Sequence, residues 1–254
     1  MKRLVVPLLA IVAVYAALCA GLYFGQRSLL YFPPAAARTA RADVLWLTSD
    51  GVRLKLWAVR QQASNAILYF GGNAEDAAWY VDDLSALFPD AALYLVNYRG
   101  YGGSGGSPSE TALTADAERV FDFVRERHAE VSVIGRSLGS GIAVDLAAKR
   151  DVDRLVLVTP YDSVLNVAKK AFALFPVSWL LKDKFDSLAK AGAVRAPTLV
   201  LIAGRDRVIP LASTERLLRA LPATTARVTI AGATHDSITD SRDYRTALRA
   251  FLAP

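Results

Sequence analysis

The chain has 254 residues, of which 53% are hydrophobic and 21% are charged, and its formal net charge is +6. This length suits one large domain or one domain with an appendage. Basic residues are interleaved with acidic ones, which argues against a nucleic-acid-binding protein. Cys19 is the single cysteine, so these residues form no internal disulfide and no cysteine-based zinc cluster. We predict neither a metal nor a cofactor.

An uncharged N-terminal stretch runs from Leu4 to Phe24, after Lys2 and Arg3. As a helix it would be about 31 Å long, close to the thickness of a bilayer's hydrocarbon core. We therefore predict a transmembrane anchor over residues 1–25 and a linker over 26–41. A cleaved signal peptide is the alternative, although its apolar region is usually shorter.

The flanking charges bear on the orientation of this anchor. Lys2 and Arg3 favour a cytoplasmic N-terminus and an extracytoplasmic location for the rest of the chain. Arg27, Arg38 and Arg41 follow the span and weaken that preference. A lipoprotein site at Cys19 is disfavoured because a leucine precedes it.

Residues 42–254 carry the pattern of an α/β domain. Two apolar stretches, 44–47 and 54–59, flank Asp50-Gly51, which predicts a β-hairpin. The apolar runs that follow are continuous rather than alternating, as in parallel strands buried on both faces. Amphipathic helices lie between them, so we predict a doubly wound, mostly parallel sheet with flanking helices. The strand runs are 66–70, 91–96, 131–134, 155–158, 199–203 and 228–230, and the helices include 113–124, 213–221 and 244–252.

One interval, residues 163–193, breaks this alternation. Its segment 168–181 is largely apolar and aromatic. We predict a small lid over an acyl pocket here, or else a helix with a long return loop.

Gly135-Arg136-Ser137-Leu138-Gly139 has the G-x-S-x-G pattern of a nucleophile elbow, a sharp turn between a strand and a helix. The apolar run 131–134 precedes it and the small-residue stretch 141–148 follows it. This context predicts that Ser137 is a nucleophile.

A serine hydroxyl needs a neighbouring base, and the chain has only two histidines. His128 ends a helical stretch before the elbow strand, on the opposite edge of the sheet, so we predict a surface position. His235 follows the last strand and is the predicted base. Asp206, after the strand 199–203, is the predicted partner of His235, with Asp162 and Asp236 as rivals. The order serine, aspartate, histidine is that of α/β-hydrolases.

An oxyanion hole would need the Leu138 N–H and a second backbone donor from Phe70-Gly71-Gly72-Asn73. We predict Asn73 as that donor and Gly72 as the fallback. The alternative is an ordinary glycine turn before a helix.

With these motifs together, the chain resembles the α/β-hydrolase superfamily, and more closely the Bem46-like membrane-anchored serine hydrolases. The shared segments are Ser28–Pro33, Leu68–Ala74, Asn97–Gly102, the elbow, Asp206 and His235. One departure is Gly71-Gly72-Asn73, where the family usually has His-Gly-Asn. The resemblance implies hydrolysis of esters or thioesters, including in some eukaryotic members removal of acyl groups from proteins.

We therefore expect a membrane-anchored serine hydrolase that cleaves carboxylic esters or thioesters of a small-molecule or lipid-like acyl substrate. A serine peptidase with the same triad is the nearest alternative. A non-catalytic binding scaffold at the membrane is the alternative from another class. A dehalogenase is disfavoured because the elbow residue is serine.

Overall fold

The computed structural model describes residues 2–39 and 41–253, with side chains from Val5 onward. Met1, Ala40 and Pro254 lie outside it. The side chains of Lys2 and Arg3 also lie outside the described part, so the orientation drawn from their charges stays a prediction.

A long N-terminal helix, α1 (Lys2–Leu30), begins the described chain. Its segment Val5–Leu30 is long and apolar enough to cross a membrane. The helix continues five residues beyond the boundary predicted at residue 25. The irregular segment that follows lies against the rest of the protein, since Tyr31 is buried and the Ala37 N–H donates to Asp76 Oδ2 at 2.8 Å.

A single eight-stranded sheet forms the centre of the protein, in the order β1-β2-β4-β3-β5-β6-β7-β8. The hairpin β1–β2 pairs antiparallel, β2 pairs antiparallel with β4, and all later pairs are parallel. The predicted hairpin and all six predicted strands are confirmed. The strands are β1 (Asp43–Ser49), β2 (Val52–Val59), β3 (Asn65–Phe70), β4 (Ala92–Val96), β5 (Glu130–Arg136), β6 (Leu155–Val158), β7 (Thr198–Ala203) and β8 (Ala226–Ile230).

Helices cover both faces of this sheet, which confirms the doubly wound α/β architecture. Apolar side chains of α3, α4 and α8 pack in one cluster with the sheet, and those of α2 and α9 pack in a second cluster on the other face. The helices are α2 (Val81–Leu87), α3 (Glu110–Arg125), α4 (Leu138–Ala147), α5 (Val164–Ala171), α6 (Val177–Leu180), α7 (Ser187–Ala191), α8 (Leu211–Ala220) and α9 (Arg242–Leu252), with 3-10 turns at Ala77–Tyr80 and Ser237–Asp240.

The interval 163–193 folds as three short helices, α5, α6 and α7, rather than as one helix with a return loop. Ser163 begins α5 by accepting the Asn166 N–H at 3.0 Å. The segment from the end of α5 through α6 carries exposed apolar side chains, among them Leu174 before α6 and Trp179 within it. This segment packs beside α1, where the ring of Phe175 stacks on that of Tyr15.

Candidate active site

Ser137 lies in the turn between β5 and α4, with φ 48° and ψ −113°. A positive φ is strained for a residue with a side chain and is typical of functional turns. The two glycines of the motif make this turn possible. A Cβ on Gly139 would lie 2.2 Å from the carbonyl oxygen of Phe70, and one on Gly135 would lie 2.5 Å from the carbonyl oxygen of Gly139. The strand, turn and helix that the elbow motif predicts are therefore present.

The side chains of Ser137, His235 and Asp206 form one hydrogen-bonded row. His235 Nε2 lies 2.9 Å from Ser137 Oγ, and His235 Nδ1 lies 2.8 Å from Asp206 Oδ2. Asp206 follows β7 and His235 follows β8, so the carboxyl ends of neighbouring parallel strands bring them to one edge of the sheet. The structure thus brings together the three side chains predicted from the sequence.

The environment of Asp206 keeps its carboxylate ionised. Burial on its own raises the pKa of Asp206, but hydrogen bonds from His235 and from the backbone of Ile209 and Val208 lower it, and the net shift of the pKa is downward. Both backbone N–H groups lie 2.8 Å from Asp206 Oδ1. A carboxylate fixed in this way holds the histidine ring with Nδ1 as the donor, which leaves Nε2 to accept the serine proton.

The two rival acids are placed elsewhere. Asp162 is fully buried, and it accepts hydrogen bonds from Ser213 Oγ at 2.5 Å and from Arg216 Nε at 2.6 Å. It therefore stabilises the loop after β6 and the start of α8. Asp236 follows His235 directly in the chain, but the imidazole is held by Asp206 instead.

The predicted oxyanion donors differ in their availability. The Gly72 N–H donates to Glu75 Oε2 at 2.7 Å and is therefore already engaged. Within residues 2–39 and 41–253, the N–H groups of Leu138 and Asn73 have no hydrogen-bond acceptor. The Gly139 N–H donates to the Gly71 carbonyl at 3.1 Å and draws the two loops together. Of the three predicted donors, the N–H groups of Leu138 and Asn73 are therefore the ones left free to bind another oxygen.

An ion pair that the sequence analysis missed joins the loops around Ser137. Arg136, beside the serine, pairs with Glu75 of the loop after β3. Its guanidinium also donates to the Tyr80 hydroxyl at 3.0 Å and to the His235 carbonyl at 3.1 Å. One side chain thus connects the elbow, the oxyanion loop and the histidine loop. A charged residue inside an otherwise apolar strand end is the signal that could have pointed to a buried partner.

The side chain of Asn73 also has a role that the sequence analysis missed. Its Nδ2 donates to the Leu30 carbonyl at 2.6 Å, and its Oδ1 accepts the Phe32 N–H at 3.1 Å and the Tyr101 hydroxyl at 2.7 Å. The Leu30 carbonyl belongs to the last turn of α1, where carbonyls lack partners within the helix. Asn73 therefore attaches the end of α1 to the oxyanion loop.

The prediction for His128 was wrong. Its side chain is buried, with Nε2 2.8 Å from the Tyr94 hydroxyl and Nδ1 2.8 Å from the Ala63 carbonyl. A neutral imidazole satisfies one group as a donor and the other as an acceptor. His128 thus joins Tyr94 of β4 to the loop before β3, and its role is structural.

The chain is similar to several known proteins. A family model described as serine aminopeptidase S33 matches residues 61–189. An uncharacterized protein of Mycobacterium tuberculosis is 33% identical over 97% of this chain and 94% of its own length. The esterase Pf2001 of Pyrococcus furiosus has the same fold, with a TM-score of 0.72 and 15% identity over 87% of this chain and 98% of its own.

A second solved structure, of a bacterial membrane phospholipase A, has a TM-score of 0.62 and 17% identity over 99% of this chain and 98% of its own. At such identities the two structures establish the likeness of fold, whereas the family match covers the chain from the end of β2 through the elbow to α7. The chain belongs to the α/β-hydrolase superfamily.

Proposed function

We propose that this protein is a serine hydrolase that cleaves carboxylic esters or thioesters through an acyl-enzyme. The observation that carries the proposal is the hydrogen-bonded row of Ser137, His235 and Asp206, with distances of 2.9 and 2.8 Å between successive side chains. A serine, a histidine and an acid in this arrangement are the components of nucleophilic acyl transfer.

In the proposed mechanism, Ser137 Oγ attacks the acyl carbonyl while His235 Nε2 takes the hydroxyl proton. Asp206 stabilises the imidazolium that forms, and the N–H groups of Leu138 and Asn73 bind the developing oxyanion. The proton then passes from His235 to the leaving alcohol or thiol, which leaves an acyl group on Ser137. Water, deprotonated by His235, attacks this acyl group and releases the carboxylic acid.

The family model is described as a serine aminopeptidase, so peptide hydrolysis is the second candidate activity. An aminopeptidase needs a free carboxylate for the ammonium group of its substrate. Glu75 is engaged by Arg136 and Asp206 by His235, so neither of these two carboxylates is free for that role. This supports an ester or thioester substrate over a peptide.

We also propose that α1 anchors the enzyme in a membrane, with the hydrolase domain on the extracytoplasmic side. The length and hydropathy of Val5–Leu30 support a span, and Lys2 and Arg3 support a cytoplasmic N-terminus. A reporter fused to the C-terminus tests the orientation. Alkaline phosphatase activity supports it, and fluorescence of a cytoplasmic reporter contradicts it.

Labelling with a fluorophosphonate tests the nucleophile. We expect the full chain in detergent to be labelled, Ser137→Ala to lose labelling, and the control Ser178→Ala, at an exposed serine of α6, to keep it. Equal labelling of the wild type and Ser137→Ala would contradict the proposal.

A substrate panel then separates the candidate functions. p-Nitrophenyl esters from acetate to palmitate, an acyl-CoA and aminoacyl anilides cover the three bond types. We expect turnover of esters or thioesters. Turnover of anilides alone would identify a peptidase, and a folded protein without any turnover would favour a binding scaffold.

A further inference from the structure

An apolar groove lies between the last part of α1 and the short helices of the 163–193 interval. Leu22, Leu29 and Leu30 line one wall of this groove, and Ala168, Phe172 and Leu180 line the other. Gln26 is the only polar residue among those that line it. We call this feature the anchor groove.

The two walls of the anchor groove are fastened to each other by polar contacts. Gln26 Nε2 donates to the Leu180 carbonyl at 3.0 Å, and Gln26 Oε1 accepts the Lys182 N–H at 2.6 Å. Farther along α1, the Tyr15 hydroxyl donates to the Leu174 carbonyl at 2.9 Å. Gln26, the only polar residue among those that line the groove, therefore bonds the two walls to each other. The remaining lining of the groove is apolar.

The outer end of the groove reaches the depth of the proposed membrane span. Tyr15 lies within that span, and its contact with Leu174 places the loop between α5 and α6 alongside it. Residues 171–181 carry no charge, and the side chains of Leu174 and Trp179 are 85% and 87% exposed. Such exposed apolar residues mark a surface that contacts another apolar phase, here the acyl layer of the leaflet.

Lysines border this uncharged loop on both sides. Lys169 and Lys170 end α5 and Lys182 follows α6, and all three are exposed. Lysines at this level complement the anionic headgroups of a membrane surface. The charge pattern thus favours a lipid of the same leaflet as the source of whatever enters the groove.

The inner end of the groove touches the oxyanion loop. Leu30 lines the groove, and its carbonyl accepts the hydrogen bond from Asn73 Nδ2 at 2.6 Å. The backbone N–H of Asn73 is one of the two proposed oxyanion donors. A chain in the groove with its carbonyl end at Leu30 would therefore reach the site of acyl transfer.

We propose that the anchor groove binds the fatty-acyl chain of a membrane phospholipid, which enters from the leaflet between α1 and the loop 171–181. This inference rests on the proposed ester hydrolysis by Ser137. The bond from Ser137 Oγ to the acyl carbon forms, the lipid's ester C–O bond breaks, and the serine proton goes through His235 to the lysolipid alcohol. Water then releases the fatty acid.

Chain-length selectivity of groove-filling variants tests the proposal in the full chain. Ala168→Phe places a ring in the groove, whereas Ala171→Phe makes the same change at an exposed position of α5 that does not line it. Each buried methylene strengthens binding about four-fold. A variant that keeps two or more methylenes out of the groove should therefore weaken binding by more than about ten-fold. We expect Ala168→Phe to lower kcat/KM for p-nitrophenyl dodecanoate at least about ten-fold and to change kcat/KM for p-nitrophenyl butyrate less than two-fold. We expect Ala171→Phe to leave kcat/KM for both esters unchanged.

Vesicles of phosphatidylglycerol and phosphatidylcholine test the source of the chain. We expect the wild type to release fatty acid from them and Ala168→Phe to lose this activity. Cleavage of S-acylated peptides without release from vesicles would overturn the assignment to a phospholipid. If Ala168→Phe lowered kcat/KM equally for the butyrate and dodecanoate esters, the proposal that the groove binds the acyl chain would be overturned. If Ala168→Phe does not fold, Leu22→Trp fills the groove from the opposite wall and carries the same expectation. Absence of turnover of every ester, butyrate included, by folded wild type would instead refute the proposed function itself.

Discussion

Glu75→Gln is the substitution for which the structure makes the sharpest stability prediction. The side chains of Glu75 and Arg136 are only 8% and 5% exposed. The variant keeps an oxygen that can accept the Gly72 N–H, but it removes the charge opposite Arg136. The guanidinium would then face neutral oxygens, namely the Tyr80 hydroxyl and the carbonyls of His235 and Asp236. Removal of one partner of a buried ion pair costs about 3–5 kcal/mol.

For a domain of this size, each kcal/mol changes Tm by roughly 2–4 °C, so we expect Tm to fall by about 10 °C. Differential scanning fluorimetry of the full chain in detergent measures it. The matched control is Glu126→Gln, which breaks the surface pair with Arg127, where the side chains are 67% and 46% exposed. Exposed pairs contribute about 0–1 kcal/mol, so its Tm should change by less than about 4 °C.

Combining Glu75→Gln with Arg136→Met removes both charges and should recover part of the lost stability. We also expect Glu75→Gln to lower kcat, because Arg136 holds the loops of Gly72 and His235 in register. A Tm for Glu75→Gln no lower than that of Glu126→Gln would refute the reasoning that this pair is buried and unscreened.

Three further predictions concern single sites. Asp206→Asn should lower kcat by roughly 10⁴-fold in an ester assay. Since the pKa of Asp206 is lowered on folding, its stabilisation is complete above about pH 4 and is lost as the pH falls. The Tm of the wild type should therefore fall more steeply below that pH than the Tm of the variant, and parallel curves would contradict this. Gly139→Ala should abolish folding, because the new Cβ would lie 2.2 Å from the carbonyl oxygen of Phe70. Gly192→Ala is the control and should not alter Tm, because a Cβ there has no atom within 4 Å. Circular dichroism of both variants measures their folding. His128→Phe leaves the buried Tyr94 hydroxyl without its partner at a cost of about 1–3 kcal/mol, and it also removes the bond to the half-buried Ala63 carbonyl. Tm should therefore drop while kcat is unchanged, and a lower kcat at full folding would place His128 in the active site.

The sheet could be predicted because parallel strands buried on both faces leave uninterrupted apolar runs in the chain. The runs at 66–70 and 199–203 match β3 and β7 almost residue for residue. The row of three side chains at Ser137 followed from the rule that loops after parallel strands gather at one edge. Both predictions rest on short stretches of sequence, namely the apolar runs and the residues that directly follow them.

Other features depend on contacts that no local pattern carries. His128 follows three charged residues, which suggests a surface position, but its ring turns inward to Ala63, 65 residues away. The bond between Gln26 and Leu180 spans 154 residues. It shows why residues 26–30, the first five of the predicted linker 26–41, instead form the end of α1 and part of one wall of a groove.

The attachment of Leu30 to Asn73 has a further consequence for an enzyme seated in a bilayer. Six residues separate Phe24, the end of the uncharged stretch, from Leu30, and a helix rises about 9 Å over that distance. If α1 anchors the enzyme as proposed, with the boundary of the hydrocarbon near Phe24, the bond between the end of α1 and the loop after β3 would hold Ser137 at a constant height above that boundary. The enzyme would then cleave ester bonds that lie at one particular depth in the membrane. A full helical turn inserted between Phe24 and Leu30 would change that depth by about 5 Å.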